Sequence, residues 1–317
     1  MEKSSLLALE PPEHTRIRKS INRAFANRRV TQMQAGIETL ANQLIDKFKD
    51  YHETDLLNTY ATTLPVTVIA RLLGVPESDC EQLLSWSHAM VRVYTLTQTK
   101  QEELLANQAA MDFRALLIDL IKARRRSPTD DLLSHLVLLK PDALSDDEIV
   151  STAVLLLNAG HEATVHQIGN TIKLLLERNW PKQWIDNESD TDKIIAEATR
   201  FDAPLHLFTR YAQSTVELQP GIVVNKGEQI ALLLGAANRD PKRFAQADQF
   251  IPDRDDGATV AFGAGLHFCV GTVLAKLEMR IAINTLFKRL PNLELDGTPT
   301  YQNSFHFHGL EALKVRW

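Results

Sequence analysis

The stretch Phe262-Gly263-Ala264-Gly265-Leu266-His267-Phe268-Cys269-Val270-Gly271 sets one cysteine among glycines. It lies directly ahead of Thr272 to Leu290, where Val273, Leu274, Leu277, Ile281, Leu286 and Leu290 recur at helical spacing. Cys269 therefore stands at or just before a helix amino terminus. Unpaired backbone N–H groups and the positive end of the helix dipole favour an anion there, so the spacing points to a thiolate. A thiolate so placed takes a metal or an electrophile. Glycine brings no Cβ and tolerates positive φ, which lets the loop backbone come close to something flat.

A flat, metal-bearing group that accepts a single axial thiolate is haem. The bland alternative is a buried cysteine in a tight turn, since free cysteine is among the most buried residue types. A tetrahedral zinc site is disfavoured, because Cys80 is the only other cysteine and neither has paired Cys/His spacing around it. Phe262, Gly265, His267, Cys269 and Gly271 fall in register with the pattern Phe-x-x-Gly-x-His/Arg-x-Cys-x-Gly. The segment thereby resembles the haem-binding loop of the cytochrome P450 monooxygenases. The resemblance implies that Cys269 ligates the iron of haem b, with Phe262, Gly263, His267 and Gly271 around the cofactor.

A helix must cross the molecule to face that loop. Ser145-Asp146-Asp147-Glu148 is a capping box, and no proline interrupts from there to Asn179, ahead of Pro181. Its middle, Val154 to Gly160, is apolar or small, so the helix should be largely buried. Ala159-Gly160-His161-Glu162-Ala163-Thr164 sits at the centre. A mid-helix glycine costs about 1 kcal/mol relative to alanine, and a buried carboxylate must be paired, hydrated or functional. From the residues alone, Gly160 as a packing notch and Glu162 as an ion-pair partner are equally open. The resemblance makes this the I helix: Ala159, Gly160 and Ala163 face the cofactor, and Glu162 is the acid that relays protons. Ala163 stands where the family usually has threonine, which leaves Thr164 as a donor only if the helix is locally wound differently.

Three further motifs follow the family's order. Pro11-Pro12 leads into a helix near Glu13 that carries His14 and Arg18 on one face. Taken alone they are a solvated cation pair; by resemblance to the C helix they hold a haem propionate. Glu197-Ala198-Thr199-Arg200, on a helix from Asp190 to Phe201, would otherwise be an ordinary surface pair worth a few tenths of a kcal/mol. By resemblance it is the K-helix Glu-x-x-Arg, joined by Arg254 and structural in role. Arg210 matches a second propionate-binding arginine, and Leu205 and Leu207 match a strand edge lining the substrate pocket.

The remaining segments read as scaffold. Helices are expected over Val30 to Tyr51, Leu64 to Leu73, Glu77 to Tyr94, Gln101 to Arg126 and Asp131 to Leu139, with Gly74-Val75-Pro76 as a stop and Arg124-Arg125-Arg126 as a solvated helix end. Val216 to Leu218, Ile222 to Val224 and Gln229 to Leu233 read as an antiparallel meander. Leu293 to Leu295, Tyr301 to Phe307 and Leu313 to Val315 read as late strands. The fold expected is mainly α: the cytochrome P450 fold, a many-helix bundle around haem with small antiparallel β-sheets, as a single domain over 1–317.

With 317 residues, a net charge of −5 and 44% hydrophobic residues, the composition suits a globular protein with a sizeable core. Mild acidity gives no reason to expect nucleic acid, and two cysteines make no disulfide framework. No apolar run approaches the ~20 residues of a membrane span. A cytoplasmic monomer without membrane contact is the expectation. The resemblance begins at the C helix, so the family's amino-terminal elements are expected to be absent, with haem held less tightly than in a longer relative. No GxGxxG unit or flavin domain is read in the chain, so a ferredoxin or flavodoxin fed by NAD(P)H is expected to bring electrons to a monooxygenase acting on a small apolar substrate. The alternatives are a truncated, non-catalytic haem-binding pseudoenzyme and a peroxide-driven peroxygenase.

Overall fold

A computed structural model gives the arrangement of residues 4–23, 25, 27–94, 99–139, 143–180, 184–185, 187–255, 257 and 259–317. The first half is helical. Helix α1 (Glu13–Asn22) leads to α2 (Asn27–Asp46), strand β1 (Glu53–Asp55) and a π-helical turn over Leu57–Ala61. Helices α3 (Thr63–Leu73), α4 (Cys80–Val91), α5 (Lys100–Arg126) and α6 (Leu132–Val137) follow. The helix α2 starts earlier and stops sooner than the expected Val30 to Tyr51. Its chain turns at Lys47 to Tyr51 through short-range backbone bonds, such as Phe48 N–H to the Ile45 carbonyl, and enters β1.

The stop at Gly74 is as expected: its φ is +80°, and its N–H caps the Ala70 carbonyl. Arg124 is not solvated as expected. It donates to the Asp131 carboxylate at 2.5 Å and to the Gly74 carbonyl at 2.8 Å, tying the end of α5 to the end of α3. Arg125 pairs with Asp146. The Arg124 bond satisfies the Gly74 carbonyl at the end of α3, which would otherwise be an orphan.

Helix α7 (Asp146–Glu177) runs unbroken for 32 residues, about 48 Å at 1.5 Å per residue. Ser145 and Glu148 form the capping box reciprocally; Pro181, the expected stop, lies outside the described residues. Packing against α3, α5, α8 (Glu188–Phe201) and α10 (Thr272–Arg289) makes α7 the axis of the core. Leu274, Leu277, Ile281 and Leu286 of α10 are buried, each contributing about 1.5–3 kcal/mol relative to exposure.

The sheets are small and antiparallel. β1 pairs with β7 (Lys314–Arg316), which also pairs with β6 (Glu294–Leu295). β3 (Val216–Gln219) and β4 (Ile222–Val224) form a hairpin, whereas β5 (Gln229–Leu233) turns back to pair with β2 (Leu207–Tyr211). The expected meander is thus a hairpin nested inside a longer one, with Leu207 opposite Leu233. Tyr301 to Phe307 is not a continuous strand. It makes isolated bridges, Tyr301 with Leu310 and Phe307 with Leu205. Between α8 and the cysteine loop, the only helix among the described residues is α9 (Leu234–Ala237). No helix of the described residues is long and apolar enough to cross a membrane.

Candidate active site

The cysteine loop approaches α10 through a single 3-10 turn, Gly265–His267, and Cys269 lies three residues before the helix begins. Gly263 (φ +71°) and Gly265 (φ +70°) are left-handed, so glycine is required there by backbone conformation. Gly271 is different: its φ is −85°, and a Cβ on it would meet the Cys269 sulfur at an ordinary 3.9 Å. The Cys269 N–H donates to the Phe262 carbonyl at 2.9 Å, and Thr272 Oγ1 donates to the Cys269 carbonyl at the same distance. These bonds close the loop into a fixed ring with an exposed thiol. Phe262 is packed against the core, with the Lys276 ammonium 5.8 Å over its ring.

Helix α1 supplies the flank of that loop. Arg18 Nη2 donates to the Phe268 carbonyl at 2.6 Å, while its Nε bonds Asn22 at 2.9 Å. His14 is buried beside His267, ring centroids 4.5 Å apart, and neither of its ring nitrogens has a hydrogen-bond partner among the described residues. His267 Nε2 lies 3.1 Å from the Glu10 carboxylate. Burial lowers the pKa of His14, helped by the nearby His267 and Arg18. Burial also lowers that of Arg18, opposed by Cys269. An orphaned buried imidazole and a partly buried guanidinium beside an exposed thiol fit a ligand that offers a metal to sulfur and a carboxylate to the guanidinium and the imidazole N–H.

On α7, Leu155, Ala159 and Ala163 recur four apart and are at least partly exposed on a helix otherwise largely buried. Gly160 turns elsewhere: a Cβ there would come within 3.0 Å of Ile69 on α3, so the glycine is a packing notch. Its expected place against the cofactor is corrected accordingly. No local opening interrupts the helix, and Thr164 Oγ1 turns back to the Gly160 carbonyl at 3.4 Å, which commits its hydrogen to the backbone.

Glu162 is buried and meets three histidines. His166 Nε2 lies 3.4 Å from Oε2, while His88 Nε2 of α4 and His161 Nε2 lie 3.4 Å and 3.7 Å from Oε1. Burial pushes this carboxyl up, but the His166 hydrogen bond and the charges of His161, His166 and His88 outweigh it and hold the pKa at about 2. The sequence reading did not single out His88 and His166 as partners. His166 was within reach, being one helical turn from Glu162. His88 was not, because only the packing of α4 on α7 brings it there.

Glu197 and Arg200 form a buried bidentate pair at 2.7 and 2.8 Å, and Arg254 Nε reaches Glu197 at 3.3 Å. Arg200 also donates to the carbonyls of Asn238, Ala247 and Gln249. The pair thus pins the irregular passage that precedes the cysteine loop. Arg210 on β2 donates to the Thr209 carbonyl and lies over the Phe208 ring. Leu207 opens the same strand and Leu205 lies two residues ahead of it in an isolated bridge to Phe307; both are half-buried.

A mainly helical body with an exposed cysteine on a glycine loop, flanked by cations and crossed by one long central helix, defines a class of thiolate-ligating protein. The cytochrome P450 family model matches residues 1–305, and the chain belongs to that family of haem-binding monooxygenases. A biotin biosynthesis cytochrome P450 of Bacillus subtilis (strain 168) is 34% identical over 320 residues, spanning 99% of this chain and 80% of that protein. The mycinamicin IV hydroxylase/epoxidase of Micromonospora griseorubida is 37% identical over 309 residues, spanning 95% of this chain and 76% of that protein. The crystal structure of P450BioI in complex with hexadec-9Z-enoic acid ligated acyl carrier protein superposes with a TM-score of 0.94 at 34% identity, covering 99% of this chain and 82% of that one.

Proposed function

We propose that the chain inserts one oxygen atom from O2 into a small apolar organic substrate, with haem b held through Cys269. Two electrons come one at a time from a separate NAD(P)H-fed ferredoxin or flavodoxin in the cytoplasm, and the second oxygen leaves as water with two protons. The observation that carries this reading is the joining of the exposed Cys269 loop to α1, through the Arg18 bond to the Phe268 carbonyl and the contact of His14 with His267. When bound, thiolate-ligated haem supplies the O–O cleaving chemistry of the family.

The protein's own residues divide the remaining work. With haem bound, His14 and Arg18 would hold one of its carboxylates and Arg210 another, Arg through its planar fork. Glu162 stays ionised at rest and takes up a proton at Oε1 only in transit, on the side turned toward His88, whose side chain is 56% exposed and so opens to solvent. Thr164, bonded to Gly160, shapes the helix and leaves the proton to Glu162 and water. Leu205, Leu207, Ala159 and Ala163 give the substrate an apolar wall. The fatty acyl group in the P450BioI complex is a ligand of that same apolar kind.

The test is turnover of a panel of fatty acyl and macrolide substrates with a surrogate ferredoxin, ferredoxin reductase and NADPH. Hydroxylated product that depends on the whole redox chain is expected. Product formed with hydrogen peroxide but never with the redox chain would assign the site to a peroxygenase instead.

A further inference from the structure

The histidines around Glu162 form more than an ion-pair cluster. His161 Nδ1 lies 2.8 Å from the Leu157 carbonyl, an atom that can only accept, so this nitrogen carries the hydrogen. In the neutral ring, Nε2 is then a lone pair. That atom is completely buried, has no hydrogen-bond partner among the described residues, and faces Glu162 Oε1 at 3.7 Å. Two acceptors directed at one another in a dry interior repel unless a proton or a metal cation lies between them.

His88 Nε2 approaches the same oxygen from α4 at 3.4 Å. The three donor atoms, one each from His88, His161 and Glu162, all lie within 4.8 Å of one another. We propose that His88, His161 and Glu162 form a binding site for a zinc ion, separate from Cys269. Zn–N and Zn–O bonds of about 2.0–2.1 Å give a tetrahedral donor–donor edge of about 3.3 Å. The separations of 3.4 and 3.7 Å are close to that edge and well above the roughly 2.9 Å of an octahedral one. Only the gap between the two imidazoles must close, and the exposed His88 side chain is free to swing.

The outer contacts are those of a ligand set. The Leu157 carbonyl fixes the His161 tautomer, and His166 holds the other carboxylate oxygen at 3.4 Å, leaving Oε1 to the metal. Water completes the fourth position from the exposed side. A bound zinc bolts α4 to α7 and occupies Oε1, so the zinc-loaded form would have the proton transfer assigned above shut off and the zinc-free form would carry it out. The site goes beyond that assignment and does not depend on it, because metal binding is read without turnover.

Tag-free holoenzyme, stripped with EDTA and dialysed against zinc chloride, is expected to retain one zinc per chain by metal analysis. Absorption at the zinc edge should show two imidazole nitrogens and a carboxylate oxygen. His88→Ala, at an exposed position, should weaken zinc binding by at least about tenfold, the scale on which even outer contacts act. His161→Gln should do the same, with its fold checked by the haem spectrum. Replacement of the exposed His52, on the β1 side, should change nothing. No stoichiometric zinc in the parent, or parental affinity in either ligand variant, would overturn the assignment.

Discussion

Replacing Arg200 by methionine removes the side chain that pins the passage ahead of the cysteine loop. Arg200 is 1% exposed and donates five hydrogen bonds: two to Glu197 and one each to the carbonyls of Asn238, Ala247 and Gln249. Methionine fills the volume and satisfies none of them. Breaking a buried pair by removing one partner costs about 3–5 kcal/mol, because the remaining charge stays in low dielectric. Glu197 keeps Arg254 at 3.3 Å and the Ile251 N–H at 2.8 Å, which favours the lower end. Two orphaned carbonyls, those of Asn238 and Ala247, push the other way, at about 1–3 kcal/mol for each that stays dry, while the Gln249 carbonyl keeps Arg254 Nη2 at 3.3 Å. A loss of about 4 kcal/mol is therefore expected, a large share of the roughly 5–15 kcal/mol typical of a folded domain. The assay is urea unfolding followed by tryptophan fluorescence, with Arg254→Met as the comparison. Arg254 touches Glu197 through one longer bond, and its bonds to the Ala245, Gln246 and Gln249 carbonyls lie on the exposed side where water can replace them, so it should cost less. An Arg200→Met variant within 1 kcal/mol of the parent would refute the reasoning.

Other expectations follow from the same geometry. Glu162 has a folded pKa of about 2, below its unfolded 4.5, so its contribution to stability is fully present above pH 4.5 and is lost as the pH falls toward 2. Glu162→Gln should flatten the acid limb of the stability profile in that window; an unchanged limb would contradict the histidine pairing. Gly263→Ala and Gly265→Ala each force a left-handed alanine and should cost about 1–2 kcal/mol in thermal unfolding, whereas Gly271→Ala should be nearly neutral. With a surrogate redox chain, Glu162→Gln should slow turnover by about a hundredfold and Thr164→Val by far less, since the Thr164 hydroxyl is bonded to Gly160. Equal losses in the two would place the proton on the threonine.

What was legible in the sequence is what local spacing encodes. The Ser145 cap, the run to the end of α7, the start of α10 and the positive-φ glycines are set by residues within a few positions of one another. The Glu197–Arg200 spacing showed a shared face, but its burial and the carbonyls around it came only with the packing. Strand pairing was the least legible. β5 pairs with β2 across the β3–β4 hairpin, and a period-2 pattern does not say which strand a strand meets. Arg124 read as a solvated helix end because nothing near it in sequence announces Gly74. The residues around Gly160 leave a packing notch and a cofactor contact equally open, and only the resemblance places it against the cofactor; the packing of α3 shows the notch.

The central claim is that Cys269 sulfur is the iron ligand. The carbon monoxide difference spectrum of the dithionite-reduced holoprotein tests it most directly, parent against Cys269→Ser. A thiolate-type Soret band in the parent and its disappearance in the serine variant is the predicted result. The same band in both proteins would contradict the account.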